Sequence, residues 1–253
     1  MKKNMMMVLL AVVLGGSVQA QEYKIAKNTG RLELNLGKVT VEGHNGNEII
    51  FSSKNDKSEK DERAEGLRLV NSLGLDDNTG LGIHVTDKGN VVEVFQLKKT
   101  ESPDIKVLVP KGVIVSFKHE SQYGGEAKFK NLANEIEVST VYNGIVLENV
   151  TGPLTIKTTY GHVEAVFSNE IKDPVSIVSI YGYIDATLPQ STKANLKLST
   201  AYGEIFVAPE FNIELSAKNG MKSYSDKISG TMNGGGINID LNCNYGKIYL
   251  RKK

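Results

Sequence analysis

The chain has 253 residues, 30 of them basic and 29 acidic, and it contains a single cysteine. A nearly neutral charge argues against a nucleic-acid partner, which usually leaves a basic excess or patch. One cysteine excludes an internal disulfide, so stability must come from packing and from strand hydrogen bonds. The length beyond residue 20 is ample for one sizeable hydrophobic core.

The first twenty residues are typical of a secretory signal peptide. Lys2 and Lys3 precede the apolar run MMMVLLAVVL, and GGSVQA then places small side chains, Val18 and Ala20, at the cleavage positions. The run is shorter than the roughly 20 apolar residues of a membrane-spanning helix, which favours cleavage over a retained N-terminal anchor. We therefore expect an exported chain that begins at Gln21 and has no transmembrane segment.

Residues 21–110 show strands interrupted by one charged segment. RLELNLGKVTVEG (31–43) and NEIIFSSK (47–54) alternate like half-buried strands, whereas NDKSEKDERAEGLRLVNSLG (55–74) does not. That segment predicts a short helix or an excursion that covers an open sheet edge. Its apolar residues stand at helical spacing: Ala64, Leu67, Val70 and Leu73.

The next strands lead into a repeated region. GIHVTDKGNVVEVFQL (82–97) predicts a hairpin that turns between Asp87 and Asn90. IKVLVP and VIVSFKHE are expected to follow as strands.

From residue 111 onward one phrase recurs, as in LTIKTTYGHV, VSIVSIYGYI, LKLSTAYGEI and IDLNCNYGKI. Apolar or small residues stand six, four and two positions before each Tyr-Gly pair, and a second alternating run with shifted parity follows the glycine. Each repeat is therefore predicted to be a strand, a glycine corner and a second strand. The anchors stand 17 to 26 residues apart at Tyr123, Tyr142, Tyr160, Tyr181, Tyr202, Asn219 and Tyr245.

Two repeats need particular alignments. The first places Phe117, His119 and Ser121 in the inward columns ahead of Tyr123, and the sixth begins at Ile213 and replaces the tyrosine with Asn219.

Self-similarity at this period, without a helical segment, predicts an all-β, parallel β-helix-like, single-stranded β-solenoid. Its coils would stack about 4.8 Å apart. A two-sheet sandwich remains an alternative, because alternation does not distinguish stacked coils from hairpins. We expect one continuous domain, with 21–110 as N-terminal strands, excursion and cap, and 111–253 as the solenoid repeats.

These phrases also carry a resemblance. The ST.YG.I strands, the IKVLVPKGVIVSF entry and the stretch from AEGLRLV to DDNTGLGIHV resemble a family of exported bacterial β-strand-repeat proteins described as "putative adhesins", best populated in Bacteroidetes-type bacteria. The resemblance implies a β-helix-like fold and a location in the cell envelope or at the surface. It implies no catalytic residue and no cofactor.

The columns of the repeat offer little for catalysis. Cys243 occupies a column of small side chains, which favours packing over a reactive thiol. Glu164 and Asp185 share a column, but Phe206 and Tyr249 dilute any acid cluster there. The histidines are scattered through the chain at His44, His84, His119 and His162, and no motif for a nucleophile, a phosphate or a dinucleotide is present. We expect no catalytic, cofactor-binding or metal-binding residues.

An interaction surface is better supported. The tyrosine column is interpreted as a structural ladder rather than a binding strip. The predicted interaction face consists of outward apolar residues on neighbouring coils: Val178, Ile180, Tyr183, Phe206 and Tyr249.

These observations lead to a functional hypothesis, namely an exported, non-enzymatic β-solenoid that acts in adhesion or as an interaction scaffold of the cell envelope. Its partner would be a glycan or a protein at the envelope or surface, or a second copy, and its location the periplasm, the outer surface or the medium. The alternatives are a carbohydrate-active β-helix enzyme, either a polysaccharide lyase or a hydrolase, and a periplasmic partner in an envelope-stress pathway.

Overall fold

The computed structural model describes residues 21–53, 62–68, 70–215 and 226–253. The predicted signal peptide lies outside these ranges. The described chain is all-β apart from one 3-10 turn at Glu62–Ala64. Its strands in chain order are β1 Glu22–Ile25, β2 Thr29–Asn35, β3 Val39–His44, β4 Ile49–Ser53, β5 Ile83–Asp87, β6 Val91–Gln96, β7 Ile105–Pro110, β8 Gly112–His119, β9 Ala127–Lys130, β10 Ile136–Thr140, β11 Ile145–Val150, β12 Leu154–Thr158, β13 Val163–Phe167, β14 Val175–Ser179, β15 Ile184–Leu188, β16 Ala194–Thr200, β17 Ile205–Val207, β18 Ile213–Leu215, β19 Asp226–Met232, β20 Ile237–Cys243 and β21 Ile248–Lys252.

The strands form two mixed sheets. Sheet A has the order β1-β4-β7-β3-β9-β11-β13-β15-β21-β17. Sheet B has the order β18-β19-β16-β20-β14-β12-β10-β8-β2-β6-β5.

Each repeat gives one strand to sheet B, turns at the Tyr-Gly corner and gives the next strand to sheet A. The central repeats pair in parallel and in the predicted register, with Ile136 beside Leu154 and Leu154 beside Val175. The alternation therefore places every second side chain inside, where the buried residues of both sheets form one apolar core.

The order of the repeats in space differs from their order in the chain. The first strand pair, β2 and β3, lies between β6–β7 and β8–β9. The last pair, β20 and β21, lies between β14–β15 and β16–β17. Both pairs thus lie inside the stack, whereas β1 lies at the edge of sheet A.

The predicted alignment of the first repeat is wrong by two residues. Val115 lies beside Ile136, and His119 lies beside Thr140, the position predicted for Ser121. The chain follows Tyr123 with two glycines before β9 begins, and this longer corner absorbs the two-residue shift. His119 remains half-buried, and its Nδ1 donates to Oδ1 of Asn143 at 2.8 Å.

The sixth predicted repeat is also wrong in its described part. Residues Ile213–Leu215 pair antiparallel with β19, which itself pairs antiparallel with β16. Because β19 occupies the place beside β16, no further parallel coil can add there in sheet B. Its remaining residues, including Asn219, lie outside the described ranges.

The N-terminal excursion was predicted to form either a short helix or a segment that covers a sheet edge. Its described part contains no regular α-helix. It contains the 3-10 turn and an antiparallel bridge between Val70 and Asp76. Asn78 then donates to the carbonyl of Val85 at 2.8 Å and accepts from its N–H at 2.9 Å. These bonds cover part of the open edge of β5, which is the other predicted form.

The predicted hairpin is present. β5 and β6 pair antiparallel, with the connecting turn at residues 88–90 and Gly89 at a φ of 75°. Across the described ranges, no helix has the length and apolar character needed to cross a bilayer.

Candidate functional site

Five tyrosines stack along the corner between the two sheets. This tyrosine ladder runs in the spatial order Tyr142, Tyr160, Tyr181, Tyr245 and Tyr202, with ring centroids 4.9 to 5.3 Å apart and interplanar angles of 9 to 16°. The spacing follows from the distance between paired strands, about 4.8 Å, which lies within the range of centroid separations of offset-stacked aromatic pairs. Tyr123 lies outside the ladder, as the shifted register of its repeat requires.

The ladder turns its edges to solvent, because each inner ring has a neighbour on both faces. A sugar ring stacks on an aromatic face, and only Tyr142 and Tyr202, at the two ends, have one face without a stacked ring. This geometry supports the structural interpretation of the column.

Close approach requires the glycine that follows four of the ladder tyrosines, namely Tyr160, Tyr181, Tyr202 and Tyr245. A Cβ at Gly182 would lie 2.0 Å from the carbonyl oxygen of Gly161, and one at Gly246 would lie 1.7 Å from that of Gly182. At these corners the neighbouring backbones therefore pass too closely for a side chain.

A second set of aromatic residues lies on the outer face of sheet A. We call Tyr183, Tyr249 and Phe206 the aromatic patch. Phe206 stacks on Tyr249 with centroids 5.3 Å apart, and Tyr249 meets Tyr183 edge-on at 6.5 Å. His162 stacks on the other side of Tyr183 at 5.0 Å.

Charged side chains frame this patch. Arg251 makes a two-pronged ion pair with Asp185, with its Nε 2.7 Å from Oδ1, and its guanidinium lies 5.3 Å from the Tyr249 ring centre. Lys247 pairs with Glu204 at 2.8 Å and lies 5.6 Å from the Phe206 ring centre. The patch therefore combines one exposed and two half-buried aromatic rings with cations that pair with carboxylates.

The hydroxyl of Tyr183 donates to Oε1 of Glu164 at 2.6 Å. This hydrogen bond to a carboxylate, together with desolvation, raises the pKa of Tyr183 to about 12. The tyrosine stays protonated at any physiological pH.

The structure divides the predicted interaction residues into two groups. Tyr183, Phe206 and Tyr249 come together on sheet A, because β21 lies between β15 and β17. Val178 and Ile180 belong to the sheet B side of the corner, where Val178 lies half-buried between Lys157 and Asn242.

Two members of the patch surroundings, Lys247 and Arg251, were not among the predicted residues. Their contacts depend on the insertion of the last strand pair, β20 and β21, between two earlier pairs. The repeated sequence motif does not indicate the spatial order of these pairs. Sequence reasoning therefore had no means of finding them.

The two acidic residues of the shared column are each paired with another side chain. Glu164 and Asp185 are neighbours on β13 and β15, but one accepts from Tyr183 and the other pairs with Arg251. Ion pairs lower the pKa of several carboxyl groups, such as Glu42 beside Lys106 and Glu137 beside Arg31. Pairing of this kind favours the ionised carboxylate, whereas the general acid of a glycosidase needs a raised pKa.

The remaining candidates for chemistry are structural in their contacts. Cys243 is fully buried, its thiol donates to the carbonyl of Gly182 at 3.1 Å, and burial raises its pKa. In the part of the chain that the structure describes, no three His, Cys, Asp or Glu side chains converge in a way that could hold a metal.

Two solved structures match the chain at low identity. A protein titled "putative cell adhesion protein" from Clostridium sporogenes ATCC 15579 is 13% identical, with 93% of this chain and 100% of that chain covered at a TM-score of 0.46. A "putative adhesin" from Bacteroides fragilis NCTC 9343 is 12% identical, with 94% and 98% covered at a TM-score of 0.32. No curated protein sequence matches the chain. The model of one protein family, described as Toastrack DUF4097, matches residues 17–251.

Proposed function

The chain belongs to the Toastrack DUF4097 family, and we propose that it is an exported, non-enzymatic β-solenoid that serves as an adhesion or interaction scaffold of the cell envelope. The aromatic patch on the outer face of sheet A is the observation that carries this proposal. Its partner is a glycan or a protein that contacts Tyr183, Tyr249 and Phe206.

The patch has the chemistry of a recognition surface. Phe206 is 45% exposed on the last strand of sheet A, so its ring is available to a partner. Aromatic residues and arginine are enriched at interfaces. Aromatic side chains in particular bury a large area with little loss of conformational entropy. Arg251 and Lys247 are already fixed by carboxylates, which reduces the entropy lost on binding.

We propose that the protein is not an enzyme because of the pKa of Tyr183 and the partners of the carboxylates beside it. The strongest perturbation at the patch makes Tyr183 a weaker acid, and the neighbouring carboxylates are occupied by Tyr183 and Arg251. A poised general acid or base would need the opposite shift.

The location is tested by brief trypsin treatment of intact cells, with mass spectrometry of the released peptides. The exposed segment around Lys99 is a suitable cleavage site. Release of its peptides while a periplasmic marker stays intact would support surface adhesion. Cleavage only after lysis would contradict adhesion and direct the work to periplasmic partners of an envelope-stress pathway.

The binding role is tested on glycan arrays and envelope extracts with the wild type and Phe206→Ser. We expect the serine variant to lose binding about tenfold, as for an aromatic residue at the centre of an interface. Tyr123→Ser is the matched control, because Tyr123 is equally exposed at 47% and belongs to neither the patch nor the ladder. Equal binding by all three proteins would overturn the patch as the interaction site.

A further inference from the structure

The described part of the excursion, residues 62–68 and 70–76, displays three large aliphatic side chains that the core does not cover. Leu67, Val70 and Leu73 are 75%, 45% and 68% exposed. Single exposed apolar residues are ordinary, but three within seven positions of one excursion indicate a surface that meets an apolar partner.

Leu73 is held at the tip of a tight turn. Oδ1 of Asn71 accepts from the N–H groups of Leu73 and Leu75, each at 2.9 Å, and the N–H of Gly74 donates to the carbonyl of Asn71 at 3.0 Å. Gly74 has a φ of 77°, which closes the turn. The leucine is therefore presented by a fixed backbone.

The turn is fastened to the edge of sheet B. Val70 bridges to Asp76, and the carbonyl of Asp76 accepts from Nδ1 of His84 on β5 at 2.8 Å. Arg68 adds an ion pair to Asp76 at 2.9 Å. The displayed leucine thus has a defined position relative to the strands.

A basic groove of about 600 Å³ lies beneath the turn. Ser72 and Leu73 of the turn line it together with Lys98, Lys99 and Lys118. Lys98 pairs with Glu101 at 2.7 Å, whereas neither Lys99 nor Lys118 makes an ion pair within the described ranges. Glu120 is the single acidic residue of the lining, so Lys99 and Lys118 leave the groove with a small positive excess.

We propose that this end of the molecule attaches peripherally to an anionic lipid surface. Leu73, supported by Leu67 and Val70, enters the boundary between headgroups and acyl chains, while Lys99 and Lys118 meet headgroup phosphates at the mouth of the groove. Apolar insertion next to basic residues is the usual composition of such attachment, and each lysine near an anionic surface adds about 1 kcal/mol.

A lipid surface would contact more of the exposed aliphatic and basic residues at this end of the molecule than a soluble ligand would. An acidic sugar or a free phosphate would occupy the groove, but Leu67 and Val70 do not line it and would remain exposed. A bilayer covers the aliphatic residues and neutralises the lysines together.

The test is co-flotation of the full chain with vesicles of phosphatidylcholine alone or with phosphatidylglycerol. We expect binding to the anionic vesicles that weakens as salt rises. Lys99→Glu with Lys118→Glu should weaken it more than tenfold, and Leu73→Ser about tenfold, in line with the transfer of one leucine side chain. Lys193→Glu, an exposed lysine that precedes β16 at the other end of the stack, is the control and should bind as wild type.

A dye reports the contact itself, independently of the N-terminal apolar run. Cys243 is buried, so the thiol introduced by Leu73→Cys can be labelled selectively in the folded protein. An environment-sensitive dye on Leu73→Cys should shift to the blue with anionic vesicles, and the same dye on Ser191→Cys should not.

An unshifted dye at position 73, or equal flotation by wild type and the Lys99→Glu, Lys118→Glu variant, would overturn the proposal. Binding of soluble inorganic phosphate or an acidic glycan without vesicle binding would also overturn it and assign the groove to a soluble ligand. The glycan and envelope binding of the aromatic patch is read out separately with Phe206→Ser, so either proposal can fail alone.

Discussion

At the residue scale, the tyrosine ladder makes each ring depend on its neighbours. Tyr181 has stacked partners at 5.1 and 4.9 Å, whereas Tyr202 has one at 5.0 Å. A well-stacked aromatic pair adds roughly 0.5–1.5 kcal/mol beyond the area it buries. The ladder therefore stabilises the corner even though its edges face water.

Tyr181→Ala should lower the free energy of unfolding by about 2 kcal/mol and Tyr202→Ala by about half as much. Urea unfolding followed by circular dichroism measures both. Tyr123→Ala is matched in exposure and lies outside the ladder, so it should change stability little. A loss for Tyr123→Ala as large as that for Tyr181→Ala would show that stacking is not the cause.

A second residue-scale prediction concerns alkaline pH. The folded-state pKa of Tyr183 is raised from 10.0 to about 12. Its contribution to stability is therefore complete below pH 10 and is lost as pH rises from 10 to 12. Tyrosinate absorbance should show one late-titrating group, and Glu164→Gln should move it to lower pH.

Glu204→Gln is the control for this titration, since Glu204 pairs with Lys247 on the same face and not with a tyrosine. A late group that persists in Glu164→Gln would contradict the assignment.

At the element scale, the corner glycine sets how closely two repeats can stack. A methyl group at Gly182 would meet backbone of the neighbouring corner rather than a flexible side chain. Backbone cannot move aside without breaking the parallel pairing on both sheets.

Gly182→Ala should therefore destabilise the fold by about 3 kcal/mol, at the upper end of typical overpacking. Gly125→Ala is the control, because its Cβ would be no closer than 3.4 Å to the Lys38 side chain. Thermal unfolding of the two variants compares them directly. If Gly182→Ala and Gly125→Ala had the same melting temperature, the close approach at the corner would be disproved.

At the scale of the whole molecule, position in the stack rather than position in the chain determines protection. The last strand pair, β20 and β21, is enclosed by parallel neighbours on both sides, whereas β17 ends sheet A. Enclosed strands open only with much of the stack, and edge strands open locally.

Hydrogen exchange read by mass spectrometry should therefore show slower exchange in β20 and β21 than in β17, although β20 and β21 are closer to the C-terminus. The same reasoning predicts that β2 exchanges more slowly than β5. Protection that instead increased steadily from each terminus inward would contradict the inserted order.

The repeated phrase by itself determined the strands, their inward and outward faces, the glycine corners and the register of the central repeats. Those features depend on local alternation and on backbone sterics, which the letters Ile-x-Leu-x-Thr-x-Tyr-Gly carry directly. The hairpin at residues 82–97 was predictable for the same reason.

Only the tertiary structure decided the order of the repeats, the two-residue shift before Tyr123 and the antiparallel strands β18 and β19. Every repeat presents almost the same edge, so the sequence does not say which neighbour it pairs with. That choice brought Asp185, Tyr249 and Phe206 together and placed Arg251 and Lys247 around them. The similarity of the repeats made the fold predictable. The composition of the surface was decided instead by where the strand pairs β2–β3 and β20–β21 insert into the stack.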